Sequence, residues 1–351
     1  MDPLETLYRE NLEMKTQWMI PLLDGIGMSN QCNKIVPSPI SDGFRNRAKF
    51  RVFLERDRIR VKGTSPIGGP VSFEKSLWIL PDWSRQVVRQ VIAFIQKNRR
   101  DFVADGFEIQ LTHGSKNIHI TFSVARSIVE LYDGFAGQLL REIPEITGVA
   151  IPSQKLEVGD TFLVHSIADK DFHAHYASFF QSNLHLTSEL VKHVGQMRTA
   201  MATNQIFDLF CGVGLMSLSA GDKRINILGA DTNKMAIESA KTNADRMGFR
   251  SAKFFVSSVE GFIRSEEIRA DNLVIINPPR SGCTPTVIEG IASQKPIHVI
   301  VVSCSLKTHV PDLAGWIMKG YEVISIKAFD MFPFTDFLET VTVLKRNAKN
   351  S

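Results

Sequence analysis

Cysteine is scarce and unpaired in this sequence. The 351 residues include four, Cys32, Cys211, Cys283 and Cys304, and no two sit at a paired spacing. That argues against a disulfide scaffold, and against a zinc or iron–sulfur cluster built from this chain alone. A reducing cytoplasm is the expected setting. No long uncharged apolar run occurs, so no membrane partner is expected. The N-terminus, MDPLETLYRENLEMKTQW, has no basic region leading into an apolar one and does not read as a secretory signal. The histidines, His173, His175 and His185 among them, show no spacing suited to a metal, and none is expected.

What is present favours a packed protein of two domains. Hydrophobic residues make up 44% and charged residues 22%, enough apolar content for a sizeable core. The net charge of +4 is mild, but its distribution is uneven. Between Ser41 and Lys62 stand eight basic side chains against three acidic ones. Within that stretch FRNRAKFRVFL alternates. If extended, Phe44, Ala48, Phe50 and Val52 point one way, and Arg45, Arg47, Lys49 and Arg51 the other. This is a strand with a basic face, and such a face suits RNA phosphates. Residues 4–24 and SRQVVRQVIAFIQKNRR read as helices, FEIQLTHGSKNIHITFSV as a hairpin turning at Gly114–Asn117, and SIVELYDGFAGQLLREI as a further helix. The first half is mixed α+β.

From about Phe179 the pattern changes to short apolar strands alternating with amphipathic helices, the mark of a doubly wound, mostly parallel α/β sheet. Ligands of such sheets bind outside the carboxyl ends of the strands, and each polar motif here lies at such an end. DLFCGVG places Asp208 at a strand end and Gly212 and Gly214 in the turn that follows. It lacks the third glycine of the dinucleotide fingerprint, and alone it is weak evidence. Asp231, seventeen residues past Gly214, ends the next strand and can accept hydrogen bonds from a ribose. Turn and acid together favour an adenosine-containing cofactor. The D-x-F-C-G-x-G form is similar to the first motif of S-adenosylmethionine methyltransferases.

NLVIINPPRSG is a strand with a stiff two-proline exit that holds Asn277 in place. Arg280 stands where amino-group methyltransferases carry an aromatic residue. Its guanidinium can donate to carbonyl oxygens in a fork, which suits uracil; its ordinary alternative is a surface salt bridge. IVVSCSLKTH is a strand ending on Cys304. A lone strand-end cysteine is usually packing, but on the ligand edge of such a sheet it can act as a nucleophile. Positive charge nearby, such as Arg280, is expected to lower its pKa. In FLETVTVLKR, Glu339 is in phase with Phe337, Val341 and Val343. It is either a solvated edge residue or a buried base. Cys211 and Cys283 read as structural.

Together these segments resemble the RNA uracil-C5 methyltransferase family, which makes 5-methyluridine in tRNA and 23S rRNA. FRNRAKFRV, SFFQSN, DLFCGVG, NPPRSG, SC and the spaced residues of FDMFPFTDFLE follow one another in the family's order. The resemblance implies a Rossmann-like S-adenosyl-L-methionine methyltransferase domain over 176–351 and an N-terminal α+β RNA-binding domain over 1–175. It implies Cys304 as nucleophile and Glu339 as base. Gln181, Asp208, Phe210, Gly212, Gly214, Asp231 and Asn277 would surround S-adenosyl-L-methionine. Arg280 would hold the uracil, and Phe179 or Phe180 could line its pocket. The N-P-P-R form places the likeness nearest the bacterial 23S rRNA members, with a tRNA enzyme and a catalytically impaired RNA-binding paralogue as alternatives. A cytoplasmic monomer without an iron–sulfur cluster is expected. Two flanks depart from the family: Phe337 replaces a histidine, and SCSL replaces S-C-N-P.

Overall fold

The structure, a computed structural model, describes residues 3–32, 34–55, 58–64, 70–99, 106–124 and 134–347. In chain order it begins with α1 (Pro3–Asp24) and β1 (Ile35–Val36). Then come β2 (Arg47–Leu54), β3 (Ile59–Thr64), β4 (Pro70–Ser72), α2 (Phe73–Ser76), α3 (Asp82–Lys97), β5 (Gly106–His113), β6 (Ile118–Ser123), α4 (Phe135–Glu142), β7 (Ile146–Ile151), β8 (Leu156–Gly159) and β9 (Phe162–Ile167). Next are β10 (Lys170–His175), α5 (Leu184–Thr199), β11 (Gln205–Leu209), α6 (Leu215–Ala220), β12 (Asn226–Asp231), α7 (Lys234–Met247), β13 (Ala252–Val256) and α8 (Val259–Ser265). The chain closes with β14 (Leu273–Ile276), α9 (Pro285–Gln294), β15 (His298–Ser303), α10 (Leu306–Met318), β16 (Tyr321–Phe329) and β17 (Glu339–Arg346). Arg56, Asp57, Arg100 and residues 127–133 of the expected basic stretch and helices lie outside the described residues.

The chain divides into two compact units. One comprises Met1–Ser41, Ile167–Gln181 and His185–Ser351, the other Asp42–Ser166 and Ser182–Leu184. This differs from a single cut at 175/176, because the first 41 residues belong with the second half. The reason lies in packing: β1 pairs in parallel with β16, and Met19 and Leu23 of α1 enter the same apolar core as Leu306, Trp316 and Tyr321.

The larger unit is built on an eight-stranded sheet in the order β1-β16-β17-β15-β14-β11-β12-β13. The ladders joining β13, β12, β11, β14 and β15 are all parallel, and β17 runs antiparallel between β15 and β16. The central strands read as unbroken apolar runs because both faces are covered. Leu273 to Ile276 and Val299 to Val302 are all buried. Successive strands step outward on either side of β11, which puts the topological switch point between β11 and β14.

The smaller unit holds a seven-stranded sheet, β4-β3-β2-β5-β6-β7-β8. Gly114 N–H donates to the Asn117 carbonyl at the tip of the β5–β6 hairpin. The apolar stripe of α3 (Val87, Val88, Val91, Phe94 and Ile95) is buried, and Phe94 meets Phe135 edge-on at 5.4 Å. The basic row of β2 is not uniform. Lys49 and Arg51 are exposed, whereas Arg45 and Arg47 are half-buried. Arg45 lies over the Phe44 ring at 5.7 Å. Arg47 sits beside the fully buried His165, and burial lowers its pKa. Alternation assigned the side of the strand correctly but not what covers it. The exposed basic groups instead continue onto β3. Lys62 stands opposite Arg51 and Arg60 opposite Phe53, and both cations lie over the Phe53 ring, at 5.9 Å and 5.1 Å.

Candidate active site

The exits of β11, β12, β14, β15 and the start of β17 meet along one edge of the larger sheet. After β11 the backbone turns through Phe210 (φ 58°) and Gly212 (φ 54°) into α6. A non-glycine residue in the left-handed region costs free energy and clusters at functional sites. Open space faces Gly212: a Cβ built there meets nothing within 4 Å. This is the room a cofactor needs to approach backbone closely. Asp231 braces the turn from below. Its Oδ2 accepts from Gly212 N–H at 3.0 Å and its Oδ1 from Asn233 N–H at 2.8 Å. Each oxygen retains a lone pair, so ribose hydroxyls can still donate to it. Asn277 is tied to the same turn, its N–H donating to the Leu209 carbonyl at 3.1 Å. These groups and the donors around them fit an adenosine-containing cofactor such as S-adenosyl-L-methionine.

Asp208, expected to face the cofactor, is turned inward. Its carboxyl is fully buried and Oδ2 accepts from the Ser217 hydroxyl at 2.5 Å and backbone N–H at 3.3 Å. Burial pushes its pKa up to about 7, against the pull of the Ser217 donors. It fastens the first turn of α6. Gln181 is buried. Phe180 is core, packed against Phe172 at 6.4 Å, whereas Phe179 is 61% exposed. Cys211 and Cys283 are buried, and burial raises both thiol pKa values, that of Cys283 to about 12. Both behave as packing residues. No group of three or more His, Cys, Asp or Glu that could hold a metal occurs among the described residues.

Cys304 is half-buried just beyond the end of β15. Register places it: β15 and β17 pair Val302 with Val341 and Ser303 with Thr340, so the next position sets Cys304 opposite Glu339. Glu339 is 1% exposed, and its Oε2 has no hydrogen-bond partner. An acid in phase with apolar neighbours is therefore buried here, not a solvated edge residue. Burial pushes its pKa up to about 8, and the nearby Arg280 charge works against that rise. Cys304 is pushed up to about 11, first by burial and then by the Glu339 charge, while Arg280 pulls it down. The expectation that Arg280 would leave a low-pKa thiol is corrected: desolvation outweighs the guanidinium in the free protein. Arg280 itself is exposed and lies over the Phe337 ring, its Cζ 4.2 Å from the centroid. The residue that departs from the family pattern is thus a cation–π platform for the residue expected to bind the base.

Sequence reasoning missed the supports. Helix α10 begins two residues after Cys304 and carries Thr308 and Asp312 on one face. Thr308 Oγ1 donates to the Arg280 carbonyl at 3.1 Å, and Asp312 Oδ2 accepts from Cys283 N–H at 2.8 Å. One helix therefore follows directly on Cys304 and holds the Arg280 loop. Gly282 (φ 78°) lets the loop close onto it, since a Cβ there would stand 2.7 Å from Asp312 Oδ2. Gly282→Ala should cost about 1–3 kcal/mol, read from a urea unfolding midpoint. The i, i+4 spacing of Thr308 and Asp312 was visible in the sequence, but no local pattern named its target.

A protein-family model described as tRNA (uracil-5-)-methyltransferase matches residues 7–347. An uncharacterized RNA methyltransferase of Thermotoga maritima is 31% identical, over 97% of this chain and 81% of that one. A 23S rRNA (uracil(747)-C(5))-methyltransferase of Shewanella halifaxensis is 28% identical, over 95% of this chain and 93% of the other. Among solved structures, a tRNA (uracil-54, C5)-methyltransferase of Pyrococcus abyssi has the same fold, with a TM-score of 0.75 and 24% identity over 96% of this chain and 83% of that one.

Proposed function

The chain belongs to the tRNA (uracil-5-)-methyltransferase family and is an RNA (uracil-C5)-methyltransferase dependent on S-adenosyl-L-methionine; on that premise we propose that Cys304 and Glu339 methylate a uridine of 23S rRNA through a covalent adduct. The observation that carries the reading is the juxtaposition of a half-buried thiol, a fully buried carboxyl and an exposed guanidinium at the carboxyl edge of the sheet, beside an open glycine turn. Carbon 5 of uracil is a weak nucleophile. The half-buried thiol loses its proton to solvent, favoured by the Arg280 charge, and Cys304 Sγ bonds to C6. The C5=C6 pair moves onto C5 and O4, where Arg280 donors stabilise the enolate. S-adenosyl-L-methionine supplies an electrophilic methyl group when bound. Once C5 carries that methyl, its bond to sulfur broken and the sulfonium left as a neutral thioether, Glu339 removes the C5 proton, the C5=C6 bond re-forms and the thiolate is expelled. Gln181, Phe210, Gly212, Gly214, Asp231 and Asn277 would hold the cofactor, with Asp208 acting through the turn.

The 23S rRNA assignment is supported by the curated relatives at 27–28% identity that carry that activity, while the matching family model is named for tRNA. Mapping 5-methyluridine in both RNAs of a deletion strain tests it. Loss from 23S rRNA is expected; loss from tRNA alone would overturn the choice of substrate. The base must be unprotonated, and in the free protein Glu339 titrates at about 8. Because proton removal follows methyl transfer, release of the covalent adduct, read as its decay on a denaturing gel, should speed up roughly tenfold per pH unit below that value.

The exposed basic face of β2 and β3 would hold phosphates and give position rather than sequence. Lys49 pairs with Glu108 at 2.9 Å, an exposed contact that trades readily for a phosphate. Replacing Lys49 and Arg51 together by alanine should weaken RNA binding and flatten the salt dependence by about 1.4–1.8 in log–log slope. An unchanged slope in filter binding would remove this face from the interface. The proposed organisation keeps RNA contacts on the smaller unit and chemistry on the larger.

A further inference from the structure

Lys15 is the feature that neither the proposed chemistry nor the family assignment uses. It lies on α1 and is 4% exposed. Burying an ammonium costs several kcal/mol unless every donor is matched, and here the three donors meet three acceptors. Nζ donates to Asp330 Oδ1 at 2.6 Å, to the Phe332 carbonyl at 2.9 Å and to the Phe337 carbonyl at 3.1 Å. An apolar side chain would anchor a helix at less cost, as Met19 and Leu23 do further along the same face.

The acceptors share one place. They bracket the loop between β16 and β17, which carries Phe337 and ends at Glu339. The Phe337 ring supports Arg280 at 4.2 Å and meets Phe332 edge-on at 6.1 Å. Two more residues of α1 hold the same loop. Asn11 Oδ1 accepts from Phe334 N–H at 3.1 Å, and the Tyr8 and Phe334 rings lie 5.7 Å apart. Phe334 itself is in the left-handed region, with φ 59°, a conformation that persists only where the surroundings impose it.

We propose that Lys15 is a positioning residue: its ammonium, held on the Phe332 and Phe337 carbonyls and on Asp330, fixes the loop that aims Glu339 at the C5 proton and sets the platform under Arg280. This rests on the reading of Cys304 and Glu339 as nucleophile and base. A role confined to anchoring α1 would lower stability and leave the chemical steps alone.

The test uses full-length protein, RNA carrying 5-tritiated uridine and a denaturing gel that retains covalent protein–RNA species. The double variant Lys15→Met/Asp330→Asn removes both buried charges and the donors to the two carbonyls. It should remain folded by circular dichroism, keep KM for RNA within about twofold and lose kcat by about 10–100-fold. Because removal of the C5 proton follows methyl transfer, covalent adduct should accumulate well above the wild-type level. A folded double variant with wild-type kcat and no added adduct overturns the proposal. Should it not fold, Asn11→Ala decides, since it leaves the ion pair intact. A loss of kcat of about threefold with added adduct supports the proposal, and wild-type behaviour overturns it. Wild-type protein that neither releases tritium nor forms adduct would instead refute the assignment of Cys304 and Glu339.

Discussion

Cys304→Ala should abolish methyl transfer while leaving the protein folded. Loss of the thiol removes the adduct that makes C5 nucleophilic, and the expected fall in kcat is on the order of 10^4-fold or more. The structural cost is small. Cys304 is half-buried just past a strand end, so shortening it should cost roughly 1 kcal/mol. Tritium release from 5-tritiated uridine in RNA, with a thermal melt in parallel, separates the two effects. Retained turnover in the variant would leave the thiol without a role. Cys211→Ala is the informative contrast: that thiol is fully within the core, and its loss should reduce stability more than it reduces turnover.

Glu339→Gln should fail in a different and recognisable way. Addition and methyl transfer precede the need for a base, so the variant should accumulate methylated RNA bound to Cys304, with release slowed by about 10^2–10^4-fold. It should also be more stable than the wild type in mildly basic solution. The folded-state pKa of Glu339 is raised from 4.5 to about 8. Between those values the folded protein holds a proton that the unfolded chain has released, so stability falls as pH rises through that window. Glutamine abolishes this loss, for a gain on the order of 5 kcal/mol near the upper end of the window. A variant that turned over freely would remove Glu339 from the base role. One that melted no higher at the upper end of the window than at the lower, relative to wild type, would contradict its burial as the source of the shift.

The parts of the site legible in the sequence are those encoded locally. The apolar runs ending at Leu209, Asp231, Ile276 and Ser303 sit at strand ends because strand length and burial are local properties. The turn at Gly212 follows from the same logic. Glu339 was ambiguous, since alternation shows which side an acid shares but not whether another strand lies against it; only the antiparallel register with β15 places it opposite Cys304. Arg45 and Arg47 were grouped with Lys49 and Arg51 for the same reason, and cover by the surrounding unit separates them. Asp208 was placed among the residues around the cofactor because a strand end leaves its side chain's direction open, and the structure turns it onto Ser217. Lys15 left no trace at all: no periodicity links a helix residue to an aspartate 315 positions away.

That separation has a consequence for synthesis. Helix α1 leaves the ribosome well before Asp330, which follows Lys15 by 315 residues. At about 5–20 residues per second, roughly 15–60 s pass between the emergence of the lysine and that of its partner. Through that interval the loop that carries Glu339 does not exist, and Lys15 lacks its three acceptors. A polypeptide stalled between Leu184 and Asp330 holds all of its smaller unit and still lacks the acceptors of Lys15 and the Glu339 loop.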